Sequence, residues 1–347
     1  MMFEAEPQNI RELKTTSRPD VMLRMICAKE EGKVYVGSSD SKIYKLDPMP
    51  KVPDFVPLEG HTSYVMGLVD TGQYLVSGSY DKSLIWWDNE THKQVRRIEK
   101  AHDRWIRNLA ITPDQKQVLS VSDDMVCKIW DAQSGELLRQ LDSHVRISEQ
   151  GFPNVLYAVA VSPCGKLVAT VDRIAKIKIW DFETGKEIKE MEAPKCYTWD
   201  AKSRIHAIGG IRSVAFSPDS KLLAVGGIGQ IGNVDHLAAA GRVELFDVES
   251  GKKLHMFEGD DKHKGLVEQI LFHPSGKWLM AVGGDHGGWV QFMDIEKKET
   301  VKQVKAPMHV HQVAVGPDFR MIYGAGHNKI CVWTMVPEEK QEPKSKS

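Results

Sequence analysis

The 347-residue sequence lacks several features that would assign it to a common functional class. No stretch approaches the roughly 18 consecutive apolar residues that a membrane-spanning helix needs. Lysine and arginine number 46 against 47 for aspartate and glutamate, so no basic excess favours nucleic-acid binding. The first ten residues include acidic side chains and no apolar core, which argues against a secretory signal. We therefore expect neither a membrane nor a nucleic acid as a partner.

Paired cysteines and catalytic motifs are also missing. The five cysteines are odd in number, and no two of them form a CxxC pair. This usage is typical of a reducing compartment, so we expect a cytoplasmic protein. The sequence has no GxSxG, HExxH or phosphate-loop motif. No catalytic residue and no cofactor is therefore assigned.

What the sequence does have is a repeated unit that closes on an Asp, or finally on a Thr. The closing positions are Asp47, Asp88, Asp131, Asp181, Asp247, Asp294 and Thr334. Successive closing positions are 41, 43, 50, 66, 47 and 40 residues apart. A period near 40 to 45 residues is typical of propeller arrays and predicts seven units here. Six or eight units remain the alternatives if the weaker copies are misassigned.

Within the units, short apolar stretches rich in Val, Ile and Leu alternate with turn residues, which predicts strands. Residues 10–15 resemble residues 94–98, the last strand of the second unit. An open ring leaves two sheet edges exposed. We therefore expect the early segment to pair with the last unit and close the ring.

Two units share a more specific pattern. It consists of His61, Ser77, Asp81 and Trp87 in unit two, and of His102, Ser120, Asp124 and Trp130 in unit three. These residues resemble the WD-repeat β-propeller family, and the resemblance covers roughly residues 10–336. It implies an all-β fold with seven four-stranded antiparallel blades, closed by an N-terminal strand in the last blade. It also implies that the four residues of a unit form a structural hydrogen-bonded set.

Other units depart from this pattern. Unit four has Ile174 at the Asp position, and unit seven has His327 there and Tyr323 at the Ser position. We expect these blades to depend more on apolar packing. The predicted domain organisation is a disordered segment 1–9, a propeller at 10–336 and a disordered charged tail at 337–347.

The extra residues of the longer units fall in three loops, 143–154, 193–209 and 226–241, which the strand order places on one face over blades four and five. Loops of this length tend to be functional, although tolerated drift is the alternative. On this face, the resemblance places a candidate partner-binding set around the channel mouth. Its members are Tyr64, Tyr80, Trp105, Asp123, Arg173 and His309, joined by Trp199 from the second loop. The alternatives are partial burial for Trp105 and a solvated ion pair for Asp123 and Arg173.

Three sequence patterns suggest dinucleotide binding, hydrolysis or metal binding, but other features of the sequence argue against each of them. Residues 227–232 match GxGxxG, yet the helix after them would be too short for a dinucleotide-binding crossover. A His-Asp-Ser set suggests a hydrolase, but its repetition and its Trp partner favour a structural role. His286, His309 and His327 could approach one another at the rim, but no spacing is diagnostic, so no metal is assigned.

The predicted function is that of a non-catalytic interaction scaffold that binds a protein or peptide on the loop-rich face. The protein would be monomeric on its own or a subunit of a complex. The alternative is a propeller enzyme, or a small-ligand or metal-binding protein, with its site at the channel mouth. A third interpretation is a purely structural subunit, which would predict apolar contacts through the blade edges.

Overall fold

A computed structural model describes residues 5–202, 205–232, 239–260 and 262–337. The described residues form seven four-stranded antiparallel sheets, each of which is one blade of a propeller. This confirms the predicted all-β, seven-bladed fold. Of the segments predicted to be disordered, 1–9 and 337–347, residues 1–4 and 338–347 lie outside the described residues, as does most of the short helix considered after the glycine motif. The predicted domain boundaries stay a prediction.

The strands follow the order expected from the repeat. Blades one to four contain β2 (Met22–Cys27), β3 (Val34–Ser38), β4 (Ile43–Leu46), β5 (Val56–Leu58), β6 (Val65–Asp70), β7 (Tyr74–Ser79), β8 (Leu84–Asp88), β9 (Gln94–Ile98), β10 (Ile106–Ile111), β11 (Gln117–Ser122), β12 (Cys127–Asp131), β13 (Leu137–Leu141), β14 (Leu156–Val161), β15 (Leu167–Asp172), β16 (Lys176–Asp181) and β17 (Glu187–Glu192). Within each blade, consecutive strands are neighbours.

A separate two-stranded hairpin precedes blade five, formed by β18 (Tyr197–Asp200) and β19 (His206–Gly209). Blades five to seven contain β20 (Ile211–Phe216), β21 (Leu222–Ile228), β22 (Gly241–Asp247), β23 (Lys253–Glu258), β24 (Leu266–Phe272), β25 (Trp278–Gly284), β26 (Gly288–Asp294), β27 (Glu299–Ala306), β28 (Val310–Val315), β29 (Met321–Gly326) and β30 (Lys329–Thr334). Two short 3-10 turns lie at Pro7–Asn9 and Pro194–Cys196. In the described part of the chain, no helix has the length and apolar character to cross a membrane.

The hydrophobic core lies between adjacent blades rather than at one centre. Trp86 of blade two, for example, packs in one cluster with Val118 and Trp130 of blade three. The middle strands of a blade read as continuous apolar runs because a neighbouring blade covers each face, and β8 is buried from Leu84 to Trp87. The outermost strand β9 has no fully buried residue. The same arrangement recurs around the ring, and one cluster joins blade seven to blade one.

The ring is closed by β1 (Arg11–Ser17), which pairs antiparallel with β30 of blade seven. Thr15 lies opposite Cys331 and Ser17 opposite Lys329 in this register. Blade seven therefore takes its fourth strand from the beginning of the described chain, which confirms the predicted closure. Just before this strand, Ile10 is buried in the cluster that contains Trp333.

The closing Asp of a unit stabilises the turn into the fourth strand. Asp88 Oδ1 accepts hydrogen bonds from the backbone N–H of Thr91 at 2.7 Å and from its hydroxyl at 2.9 Å. Asp181 makes the same pair of bonds with Thr184, at 2.8 and 2.6 Å. Asx turns of this kind explain why the repeat ends on Asp at regular intervals. The closing Asp of a unit is therefore a sequence signal for the turn between the third and fourth strands of its blade.

Candidate functional site at the channel mouth

Blade two contains a buried chain of hydrogen bonds that links four side chains. His61 Nδ1 lies 2.9 Å from Asp81 Oδ2, and His61 Nε2 lies 2.8 Å from Ser77 Oγ. Trp87 Nε1 donates to the same Ser77 oxygen at 2.8 Å. The corresponding residues of blade three are His102, Asp124, Ser120 and Trp130, with distances of 2.9, 2.7 and 2.8 Å. Because each Ser hydroxyl accepts from a Trp and bonds a His, each set ties the second and third strands of its blade to the loop before the first strand and leaves no free nucleophile.

Blade four contains a third such set, and the expectation that it relies on apolar packing is wrong. His144 Nδ1 lies 2.9 Å from Asp172 Oδ2, and His144 Nε2 lies 2.8 Å from Thr170 Oγ1. Trp180 Nε1 donates to Thr170 Oγ1 at 2.8 Å. The acid stands two residues after the hydroxyl residue instead of four, so it comes from the end of β15 and not from the following turn. Blade four therefore takes its acid from Asp172 and needs none at the position of Ile174.

Burial and hydrogen bonding hold these sets in one protonation state. Burial lowers the pKa of the His102 imidazole, which keeps the ring neutral. Burial opposes ionisation of Asp81 and Asp124, but the hydrogen bonds with His61 and His102 outweigh it. The pKa values of both carboxyl groups consequently lie below their usual range.

We expect the free energy of unfolding to fall as the solution is acidified. The contribution of His102 is complete above the pKa of an unfolded histidine, about 6.5, and is lost as the pH falls toward its lower folded pKa. The contributions of Asp81 and Asp124 are complete above about pH 3.9 and are lost below it. Urea unfolding at a series of pH values measures the slope, which cannot exceed about 1.4 kcal/mol per pH unit for each group.

The variant His102→Gln isolates the histidine component. It is less stable than the wild type near neutral pH, but the difference between the two proteins should narrow between about pH 7 and pH 5. A difference that stays constant over this interval would show that His102 is not held neutral in the folded protein.

A ring of seven side chains, one from each blade, surrounds the channel mouth. Every innermost strand has a β-bulge near its start, and the extra residue interrupts the alternation of side chains. The bulged residues are Leu23, Met66, Arg107, Tyr157, Arg212, Glu268 and His311. Together they line a cavity of about 230 Å³. A second cavity of about 550 Å³ lies deeper in the channel.

One side of the mouth is formed by an aromatic ladder, which we define as Tyr64, Tyr80 and Trp105. The Tyr64 and Tyr80 rings stack with centroids 5.7 Å apart, and the Tyr80 and Trp105 rings stack at 4.5 Å. The guanidinium of Arg107 lies 4.8 Å from the Tyr80 ring and makes two hydrogen bonds to Asp123, at 2.6 and 2.8 Å. Tyr64 and Trp105 remain 46% and 47% exposed. The ladder is therefore an exposed aromatic surface whose rings are held in place by stacking and by the contact with Arg107.

The three loop insertions contact one another over blades four and five. Phe152 of the first insertion lies 5.5 Å from the Trp199 ring of the second. Arg173 Nη2 donates to the backbone carbonyl of Ala207 at 3.0 Å, which ties the hairpin to blade four. The backbone N–H of Ile231 in the third insertion donates to Thr198 Oγ1 at 3.0 Å.

The first glycine of the GxGxxG motif serves this packing. A Cβ on Gly227 would lie 2.5 Å from the carbonyl oxygen of Gly210. The strand after the motif, β22, pairs antiparallel with β21, whereas a dinucleotide site needs a parallel crossover. Gly227 is therefore explained by the close approach of its backbone to that of Gly210.

The opposite side of the mouth carries histidines. The rings of His309, His311 and His327 have centroids between 4.6 and 4.9 Å apart. His309 Nε2 lies 3.3 Å from Oε1 of Glu268. Burial lowers the pKa of His311 to about 3, and burial also lowers the pKa of His327.

The structure brings only part of the predicted site together. Tyr64, Tyr80, Trp105 and Asp123 meet in and beside the ladder, Arg173 and Trp199 lie with the insertions, and His309 is 6% exposed in the histidine cluster. Asp123 pairs with Arg107, which sequence reasoning missed. It also missed Tyr157, Arg212 and Glu268. The recurring bulge at the start of each innermost strand places them at the mouth, and the sequence alone does not show this bulge.

Comparison with known proteins agrees with this architecture. The family model described as WD domain, G-beta repeat matches residues 54–88, 93–131 and 202–230. Nuclear distribution protein PAC1 of Arthroderma otae is 35% identical over 104 residues, which cover 27% of this chain and 22% of that protein. Apoptotic protease-activating factor 1 of Rattus norvegicus is 25% identical over 314 residues, which cover 87% of this chain and 22% of that protein. The chain thus spans about a fifth of the length of these two relatives.

Proposed function

Because the chain is a WD-repeat β-propeller, we propose that it is a non-catalytic interaction module that binds a protein or peptide across its channel mouth. The observation that carries this proposal is the aromatic ladder, backed by Arg107. Exposed aromatic residues and Arg dominate the binding energy of protein interfaces. Stacking fixes the ladder before a partner arrives, so little side-chain entropy is lost on binding.

The dimensions of the mouth favour a peptide or protein over a small molecule. Pockets for small ligands usually enclose about 300–1,000 Å³, a range that the deeper channel cavity of about 550 Å³ meets but the cavity at the mouth does not. The cavity of about 230 Å³ inside the ring suits a single inserted side chain. Around it, the ladder and the packed insertions provide a wider surface for the rest of a partner.

The charges in and beside this cavity favour an acidic inserted side chain. The guanidinium groups of Arg24, Arg107 and Arg212 face two carboxylates, those of Asp123 and Glu268. Arg107 is neutralised by Asp123, whereas Nε of Arg212 is buried without a hydrogen-bond partner. The Arg212 guanidinium stacks 3.6 Å from the Tyr157 ring centroid, which orients it toward the cavity lining. We propose that a carboxylate of the partner binds here.

The test is affinity capture with the full chain, followed by measurement of the captured partner's dissociation constant. Trp105→Ala should weaken binding at least about 30-fold, as expected for a central aromatic anchor worth about 2 kcal/mol. Ile188→Ala is the matched control, because Ile188 is 53% exposed on the outer strand of blade four. We expect this variant to bind like the wild type. A partner that tolerates Trp105→Ala and is lost with Ile188→Ala would place binding on the blade edge and refute the proposal.

We also propose that the protein acts as a monomer or complex subunit in the cytoplasm. All five cysteines are free thiols, and three of them are buried among apolar side chains or strand residues. Burial raises the pKa of Cys127, so this thiol remains protonated and unreactive. Microscopy of the tagged protein in its native cell tests the compartment.

A further inference from the structure

Three potential metal ligands converge at the rim between blades six and seven. One ligand atom each from Glu268, His309 and His311 lies within 4.8 Å of the other two. His309 Nε2 and Glu268 Oε1 form an ion-pair contact at 3.3 Å. A tetrahedral ion with bonds of ~2.0–2.1 Å holds its ligand atoms about 3.3 Å apart. Small side-chain adjustments would therefore complete a coordination geometry.

Two buried ring nitrogens in this cluster lack a hydrogen-bond partner. They are Nε2 of His309 and Nε2 of His311. Buried polar side-chain atoms are almost always paired. Nε2 of His311 therefore calls for a partner that the described residues do not supply, whereas Nε2 of His309 has only its contact with Glu268 at 3.3 Å.

The orientation of His309 indicates what that partner is. Its Nδ1 lies 3.2 Å from the backbone carbonyl oxygen of Asp285, which can only accept a hydrogen bond. Nδ1 thus carries a proton, and Nε2 faces the Glu268 carboxylate, to which it donates if the ring is an imidazolium and presents a lone pair if the ring is neutral. Because a neutral Nε2 and a carboxylate oxygen repel each other at 3.3 Å, either a proton or a metal cation must lie between them. A backbone carbonyl that fixes the tautomer is also the usual outer partner of a metal-binding histidine.

We propose that Glu268, His309 and His311 bind one Zn²⁺ ion. Two imidazoles and one carboxylate leave the fourth position of a tetrahedral ion open for an exchangeable ligand. This site goes beyond the proposed interaction function, although Glu268 and His311 also line the cavity proposed for the partner's carboxylate.

The surroundings of the cluster suit this role. The His327 ring lies nearby, with its centroid 4.9 Å from that of His309 and 4.7 Å from that of His311. Arg24 and Arg212 share the cavity, so an anionic fourth ligand such as hydroxide or a carboxylate is favoured.

The experiment uses the full chain with any histidine tag removed. The protein is stripped with a chelator and titrated with Zn²⁺ by calorimetry, and Co²⁺ serves as a spectroscopic substitute. We expect one ion per chain and the visible absorption of four-coordinate Co²⁺. Glu268→Gln, His309→Ala and His311→Ala should each weaken Zn²⁺ binding at least about 10-fold.

His286→Ala is the matched control. This histidine follows Asp285, whose backbone carbonyl bonds His309, but its side chain is 91% exposed and pairs with the Asp285 carboxylate. Its replacement should leave Zn²⁺ affinity unchanged. Absence of stoichiometric Zn²⁺ uptake by the wild type, or uptake that persists in His309→Ala and His311→Ala, would overturn the proposal. Glu268→Gln nearly preserves volume and shape, so it still tests ligation if an alanine variant fails to fold, and Trp105→Ala, which leaves all three ligands in place, tests partner binding separately.

Discussion

Replacing Thr170 by valine should lower the free energy of unfolding by about 2–5 kcal/mol, although the two side chains have almost the same shape. The substitution removes the oxygen that accepts from Trp180 Nε1 and bonds His144 Nε2. Thr170 itself is fully buried, and His144 and Trp180 are 4% and 3% exposed, so water cannot replace the lost partner. Each unsatisfied group costs about 1–3 kcal/mol. Urea unfolding followed by circular dichroism measures the loss.

Thr184→Val is the matched control in the same blade. The Thr184 hydroxyl donates to Asp181 at 2.6 Å, but this bond lies at the exposed turn. Water can solvate both groups after the substitution, so we expect a loss of less than about 1 kcal/mol. Equal losses in the two variants would mean that the blade-four set contributes nothing beyond an ordinary turn hydrogen bond.

The set in blade four also shows why part of the architecture escaped sequence reasoning. Sixteen residues separate His61 from Ser77, but 26 separate His144 from Thr170. The difference arises because the first insertion lies between His144 and the start of the blade. The acid is displaced as well, from four residues after the hydroxyl to two. Hydrogen bonding needs only the final positions of the side chains, so chain spacing can vary while the set is kept.

The blade count and the ring closure could be predicted because their signals are local. Turn-forming Asp residues recur at regular intervals, and β1 carries the pattern of an outer strand. The channel mouth is different, because a bulge breaks the two-residue alternation on which strand reasoning depends. Trp105 was predicted at the mouth, whereas Arg107, two residues later, was not. The register that turns Arg107 toward Asp123 and the ladder appears only in the paired strands.

The histidines show the same limit. His286, His309 and His327 were grouped because each lies in or beside a loop at the same rim. In the structure His286 is exposed and pairs with its neighbour Asp285. The cluster instead includes His311, on a bulge, and Glu268 from the preceding blade. Contacts between blades depend on how adjacent sheets pack, and a single repeat does not encode that packing.

Removing residues 1–17 should abolish the folded state of the isolated chain, which is the largest effect that we expect. Deletion leaves β30, which contains the buried residues Cys331 and Trp333, as an open edge strand. It also removes Ile10 from the cluster between blades six and seven. A domain is stable by only about 5–15 kcal/mol, and loss of a strand paired along its length with β30, together with the buried Ile10, is of that order. Size-exclusion chromatography with light scattering and near-ultraviolet circular dichroism should report aggregation and lost tertiary packing.

A peptide with the sequence of residues 5–20 tests whether the truncated chain fails because its ring is open or because the chain is generally unstable. If β1 acts by occupying the edge of β30, adding this peptide to the truncated chain should restore a monomer and its near-ultraviolet spectrum. A peptide of the same composition in scrambled order should not, because Thr15 and Ser17 would no longer lie opposite Cys331 and Lys329. A truncated chain that stays monomeric and melts at the wild-type temperature would show that the other strands close the ring unaided. The clusters between blades, and not β1, would then carry the cooperativity of the fold.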